Sequence, residues 1–515
     1  MVYFSAVISN GKLTAALWPA RLVRVLRLDG MSPVARMLFW IFGLIVFGSC
    51  IAAVALDDLR LLVAPVLAFG LFLAVADVKR LYLLLWATIP ISTEVSLPNG
   101  VGTDLPDEPL MILLFGIGMI MIVSRLHKFS FRLLLHPITL FLLLHLAWIG
   151  LTTIHSDDLL VSLKFFLAKS WYIVVFYVMG YLLIRGERDW RQWFYWVIIP
   201  LLLTVVVVVV RHALAGFTFD SINSVLNPFY RNHVSYALML GVITPFIWFF
   251  RHRIPGRYGG ILLTLFVIIA IYFAYTRAAY LGLLTAVAGY WIMRLRLTRV
   301  VLVVTIAGAL ITYTQLAKDN RYMDYAPDYY RTITHYEFDN LIEATYKLED
   351  ISTMERFYRW IAGFYMIADQ PLLGFGPGNF YGFYKSYTDE NFVTYVSHNP
   401  ERSGIHNYFL MTAVEQGLPG LVIFILLIAV VLLKAEWMYR KLPEGLPRHF
   451  LSACVAALYF ILFVLLLNDM IETDKIGSVF FFCLAMIAAL ELRHLPTART
   501  NTKLSDSSPD AISAP

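Results

Sequence analysis

His406 and Asn407 stand together at the mouth of an apolar stretch, SGIHNYFLMTAVEQGLPGLVIF (Ser403 to Phe424). Nine residues separate Asn407 from Gly417, and Gly420 follows after Leu418 and Pro419. A neutral imidazole titrates at about pH 6.5 and takes a proton from a hydroxyl group at neutral pH, which makes His406 the candidate general base. A histidine at a helix start can equally be a cap or a hydrogen-bonded filler, and His335 and His398 compete from the same region. Four arginines precede it: Arg231 (FYRNH), Arg277 (YTRAAY), and Arg356 and Arg359 (MERFYRW). Guanidinium groups bind pyrophosphate by paired, charge-assisted hydrogen bonds, and an ammonium does so less specifically. The plainer reading is that each arginine neutralises a local acid, as Glu355 beside Arg356 invites. No HxH, HExxH or DxD pattern occurs in this segment and Asp319/Asn320 is a weak substitute, so no metal is expected.

The elements that hold these residues are membrane helices. The 515 residues are 59% hydrophobic and 15% charged, with a mean hydropathy of +0.71, against about 45–50% and about 25% in soluble globular domains. The apolar residues fall in blocks of about 15–20, enough to cross about 30 Å of hydrocarbon. Only helices and closed barrels satisfy their backbone in lipid, and runs such as LLLTVVVVVV (Leu201 to Val210) lack the alternation of a barrel strand. The fold class expected is all-α, a polytopic integral membrane protein of about fourteen spans. These start near Met37, Leu61, Leu81, Leu110, Pro137, Ser170, Trp193, His233, Gly260, Ala278, Val300, His406, Phe450 and Ile476. The third is read as Leu81 to Val95. The domain scheme is a basic arm (1–36), eleven spans (37–314), one large polar loop (315–405), three spans (406–492) and a disordered tail (493–515). The arm carries Lys12, Arg21, Arg24, Arg27 and Arg36 and lacks the form of a cleaved signal peptide. Cys50, Cys454 and Cys483 all lie in apolar segments, which speaks against disulfides and a cysteine zinc site.

Charge gives orientation. Lys79/Arg80, Arg125/Lys128/Arg132, Arg185/Arg188/Arg191, Arg251/Arg253/Arg257, Arg294/Arg296/Arg299 and Lys434/Arg440/Lys441/Arg448 fall on alternate loops. The positive-inside rule puts that set and both termini in the cytoplasm. The opposite loops carry Asp57/Asp58, Asp104/Asp107/Glu108, Asp157/Asp158 and Asp469/Glu472/Asp474. The large loop is therefore expected outside, and the four arginines there run against the charge rule. The pI of about 9.0 is thus a topology signal and implies no nucleic-acid partner. A loop this long that carries a helical pattern from Leu341 to Gln370 and a turn at PLLGFGPGNF reads as a small helical cap.

The spacing HN-x9-GxxG at His406–Gly420 resembles the signature of the bacterial O-antigen ligase and polymerase superfamily. The segment RFYRW…DQPLLGFGPGNF (Arg356 to Phe380) and TRAAYLGLL (Thr276 to Leu284) resemble its other motifs, and the likeness runs from around Leu201 to Leu490. The resemblance implies a GT-C-like, inverting, metal-independent glycosyltransferase without cofactor in the bacterial inner membrane. Its active site would be periplasmic and its donor a glycan on undecaprenyl pyrophosphate. The acceptor would be a glycan or lipid A-core. His406 would activate the acceptor hydroxyl. Arg277, Arg231 and Arg356 would hold the pyrophosphate, with Asn407, Gly417, Gly420 and Asp469 in support; Glu472 and Asp474 lie close to Asp469. The chain departs from the family in its extra N-terminal spans, where PISTEVSLPNG and TDLPDEP match nothing assigned to a ligase. A polymerase of exopolysaccharide or O-antigen repeats would use the same chemistry, as would a protein-glycosylating oligosaccharyltransferase. A transporter or flippase is disfavoured, because the spans read as nearly charge-free at their centres and no internal repeat is visible.

Overall fold

The computed structural model describes residues 33–55, 63–96, 102–124, 131–326, 351–394, 397–399 and 403–495. Most of the basic arm, the stretch 327–350 with His335, and the tail beyond 495 lie outside the described residues. The chain divides into two compact units at residues 85 and 86. The first contains α1 (Pro33–Ala55), α2 (Val63–Ala76), which packs on α1, and most of α3 (Val78–Thr88). Everything that follows concerns the second unit.

Its helices of ten residues or more are α4 (Asp107–Ser124), α5 (Pro137–Ile154), α6 (Leu159–Leu183), α7 (Glu187–Leu214), α8 (His233–Phe250), α9 (Gly259–Tyr272), α10 (Arg277–Leu295), α11 (Thr298–Ala317), α12 (Ile351–Asp369), α13 (Tyr408–Lys441), α14 (Leu446–Leu465) and α15 (Asp474–His494). Side chains at their starts satisfy the first backbone N–H groups. Asp158 accepts from Leu160 and Val161 N at 3.1 and 3.2 Å, and Asn232 accepts from Ser235 N at 2.9 Å. Among the described residues ten helices are long and apolar enough to cross a membrane, and α9 is a shorter apolar one. The expected spans that are not among the ten start near Met37, Leu61, Leu81 and Gly260.

Three expectations are corrected here. The stretch Leu81 to Val95 is not one helix. Pro90 lies in a short 3-10 turn, Ile89–Ile91, that closes α3. Then β1 (Thr93–Ser96) pairs antiparallel with β2 (Gly102–Leu105), with Thr93 opposite Leu105 and Glu94 opposite Asp104. A four-residue strand is too short for its period to stand out beside apolar blocks. The span expected from Ser170 instead starts at Leu159 and passes through a π-helical turn, Ile173–Met179. Lys169 is thereby enclosed mid-helix, its side chain 3% exposed, and Glu415 is buried within α13. Two of the spans read as nearly charge-free at their centres thus enclose a charged residue type.

α8, α14 and α15 are the most enclosed spans. Gly241 of α8 and Gly282 of α10 both lie against the Phe460 ring of α14, which lets three helices meet closely. Trp193 stacks on Phe482 at 4.4 Å and meets Trp86 and Phe246 edge-on at 5.3 and 5.0 Å. By contrast α11 leaves Val303, Val304, Leu310 and Ile311 exposed, as a lipid-facing helix would. α12 is amphipathic. It buries Ile351, Met354, Tyr358, Ile361, Ala362 and Met366, a stripe at helical spacing.

Candidate active site

The site sits where α13 begins and α14 ends, against α12, with the residues after α5 and the start of α6 beside the segment docked below it. Its foundation is the break in α13. Gly417 has φ +69° and ψ 176°, a region open essentially to glycine alone. A Cβ there would run into the Leu372 carbonyl. Pro419 has no N–H for the Glu415 carbonyl, as a continuous helix would require. The chain 371–380 fills the gap. Gly376 N donates to Glu415 O at 2.9 Å, Phe375 N to Val414 O at 3.1 Å, and Leu418 N to Pro371 O at 2.8 Å. Trp148 Nε1 donates to the Gln416 carbonyl at 2.8 Å, and His145 Nε2 lies 3.0 Å from Gln416 Oε1. Asn379 donates to Ser156 Oγ at 2.7 Å and Ser162 to the Pro377 carbonyl at 2.7 Å, so the docked segment also grips α5 and α6. Gly420 leaves room for the Gln416 side chain and the Trp148 ring.

At the head of α13, Asn407 is the N-cap and accepts from Leu410 N at 3.0 Å. His406 precedes it at φ +56°, the left-handed region. For a residue with a Cβ this costs about 1–2 kcal/mol, so the neighbours must enforce it. α12 does so. Trp360 Nε1 donates to the Ile405 carbonyl and Arg359 Nη1 to the Gly404 carbonyl, both at 3.1 Å. The residue is half-buried and its Nδ1 is closed off from solvent, with no hydrogen-bond partner among the described residues. Burial of the ring, and after it the charges of Arg356 and Arg359, lower its pKa to about 3, while a hydrogen bond with Asn468 opposes them. The ring is therefore neutral at physiological pH.

The two arginines of α12 differ. Arg359 is buried and its Nη2 lies 3.3 Å from Glu355 Oε2. The other Glu355 oxygen accepts from Ser397 Oγ at 2.6 Å and from Thr394 Oγ1. Arg356 is half-buried, and its Nη1 donates to Ser352 Oγ at 2.7 Å. Asp469, just after α14, rests a carboxylate oxygen against Gly404. Burial, reinforced by Glu472, raises its pKa, and Arg359 works against them. Glu472 itself accepts from Lys169 Nζ at 2.6 Å, and the same ammonium reaches the Tyr408 hydroxyl at 3.3 Å.

Residues 260–425 match the family model described as O-antigen ligase. This match supports a likeness of that segment to the O-antigen ligase/polymerase superfamily. No curated protein matches the chain. The matched segment contains Arg277, Arg356, His406, Asn407, Gly417 and Gly420, whereas Arg231 and Asp469 lie outside it.

Of the residues expected to act together, the structure gathers His406, Asn407, Arg356 and Asp469 around residues 404–407. Arg231 and Arg277 form a second group. Thr276 Oγ1 donates to His233 O at 3.3 Å, which sets the start of α10 beside the start of α8. Arg231 Nε lies 3.8 Å from Glu94 Oε2 on β1, an exposed pair of the plainer kind. Neither arginine is among the charges that act on the His406 ring. His398 offers its carbonyl to Lys385 Nζ at 3.3 Å. Glu355, expected beside Arg356, pairs with Arg359 instead, because residues i and i+1 leave a helix on different sides whereas i and i+4 share a face.

Sequence reasoning missed Asn468, Lys169, Tyr408 and Glu415. A lysine inside the apolar run FFLAKSWY is a signal, since an ionisable side chain at membrane depth needs a partner. Removing Arg359 tests the strap on His406. Arg359→Met leaves Glu355 buried without its charge partner and should destabilise the protein by about 3–5 kcal/mol. This is read as a lowered thermal midpoint of the purified protein, with Arg356→Met staying near wild type.

Proposed function

We propose that the chain is an inverting, metal-independent glycosyltransferase that moves a glycan from undecaprenyl pyrophosphate to an acceptor sugar hydroxyl. The reaction takes place at the periplasmic face of the bacterial inner membrane, with an O-antigen ligase-like acceptor such as lipid A-core. The observation that carries this reading is His406: a neutral ring with a buried Nδ1 that has no hydrogen-bond partner among the described residues, held in the left-handed region by α12 and flanked by Arg356 and Arg359. The alternation of basic loops supports the sidedness.

The acceptor oxygen attacks the anomeric carbon opposite the pyrophosphate. His406 Nδ1 takes the hydroxyl proton, and the bond to the pyrophosphate oxygen breaks with its electron pair on the leaving group. Arg356 meets the growing negative charge, with Arg277 and Arg231 as further pyrophosphate ligands. Arg359 is committed to Glu355 and Gly404, so it positions His406 and does not bind donor. Asp469 supports the same strap. The leaving group is already good, so positioning and charge stabilisation dominate.

Proteoliposomes supplied with a lipid-linked glycan and an acceptor should yield a product of inverted anomeric configuration. A retained configuration would overturn the mechanism. The second reading, a polymerase, has one observation in its favour: α1 to α3 and the hairpin all precede the matched segment. Donor supplied alone decides between them, because a polymerase lengthens its glycan without another acceptor and a ligase does not.

A further inference from the structure

We infer that Asp104, Asp107 and Asp474 form a divalent-cation site that ties the β-hairpin and α4 to the start of α15. Asp104 lies on β2, Asp107 opens α4 and Asp474 opens α15. One carboxylate oxygen from each lies within 4.8 Å of the other two. Asp107 is 0% exposed and Asp474 6% exposed.

Hydrogen bonding leaves this cluster incomplete. Asp107 Oδ1 accepts from Glu108 N at 3.2 Å, and Asp474 Oδ1 accepts from the Tyr172 hydroxyl. The second oxygen of each, Oδ2, is buried and has no hydrogen-bond partner among the described residues. Two neighbouring ionised carboxylates, each with a donorless oxygen out of solvent, repel each other unless a cation or a shared proton stands between them. Lys475 is next in sequence and its charge acts on all three carboxylates, while its Nζ donates to Ser92 Oγ and O at 2.9 and 3.3 Å. Three carboxylates against that one ammonium leave a formal excess of two negative charges, the charge of a divalent ion. All the donors are hard oxygens, which suit Ca²⁺, Mg²⁺ or Mn²⁺ rather than Zn²⁺ or copper. A Ca²⁺ ion about 2.3–2.6 Å from each oxygen bridges ligands spaced this way. Asp104 is half-buried and gives the site its access to water.

The segment TDLPDEP thereby gains a role. The ion is a clamp, not a reactant: it belongs to the hairpin end of α15, and the proton transfer at His406 does not use it. The inference stands apart from the transferase reading, and its test reads binding, not turnover.

Full-length protein in nanodiscs of zwitterionic lipid is stripped with chelator, dialysed and titrated with Ca²⁺, Mg²⁺ and Mn²⁺. Tb³⁺ luminescence excited through tyrosine serves as a second probe beside Tyr172. The thermal midpoint should rise by several degrees and saturate with at least one of these ions, and Ca²⁺ should displace Tb³⁺. The double variant Asp107→Asn/Asp474→Asn should lose both responses while matching chelated wild type in its metal-free midpoint. If that variant does not fold, Asp104→Asn should weaken the apparent affinity about tenfold with the metal-free midpoint unchanged. No saturable response to any of the three ions, or a response that survives these substitutions, would overturn the site and leave a shared proton in its place.

Discussion

His406→Ala should abolish glycan transfer while leaving the protein in the membrane at wild-type level. General base catalysis contributes about 10²–10⁴-fold, and the ring is a neutral base within the charge field of Arg356 and Arg359 on α12. Alanine retains the left-handed strain at φ +56° and so confounds the result. His406→Asn is the sharper variant, because asparagine tolerates that region better than most residues. It should keep the thermal midpoint and lose transfer equally. Wild-type-like rates in either variant would remove His406 from the mechanism. The pH profile carries a second test. In the free protein burial and the two arginines hold the ring at a pKa of about 3, so kcat/KM should show no acid limb from this residue between about pH 5 and 8. A bound pyrophosphate offsets the charge of Arg356. It therefore raises the ring's proton affinity towards a value useful to a base. The acid limb of kcat should accordingly lie at higher pH than that of kcat/KM.

Gly417→Ala should be nearly as damaging, without touching a reacting group. The conformation itself disfavours any side chain by about 1–3 kcal/mol, and the added Cβ would push out Leu372 with the whole 371–380 segment. The carbonyls of Val414 and Glu415 would then lose their donors inside the bundle. The expected result is a thermal midpoint lower by several degrees, lost transfer, and faster proteolysis within 371–380. Unchanged stability would mean that the break in α13 is not what holds this segment.

The sequence made the helices legible because ten of the fourteen expected apolar blocks are long and uniform, and their caps, such as Asp158 and Asn232, are locally encoded. It did not reveal Lys169, because a charge that interrupts an apolar run is ordinarily read as the boundary of a span. Here Glu472 and Tyr408, more than 230 residues further on, make its burial tolerable. The hairpin was hidden for a different reason: two four-residue strands carry too little period to compete with their surroundings. At the site, His406 and the glycines were visible from their spacing. Which arginine holds Glu355, and which acid meets Gly404, were not, since both depend on how α12 and the end of α14 close on residues 404–405.

The interval between Asn407 and Gly417 also acts as a gauge length. Nine helical residues make about two and a half turns and rise about 13.5 Å. One end is fixed by the cap at Asn407 and the strap on His406, the other by the docked segment at Gly417. Adding or deleting one residue between them would turn His406 by about 100° around the α13 axis and shift it by about 1.5 Å, with every side chain still present. The motif is thus a ruler as much as a set of chemical groups. Its length, set by the backbone, decides whether the base points at the arginines or away from them.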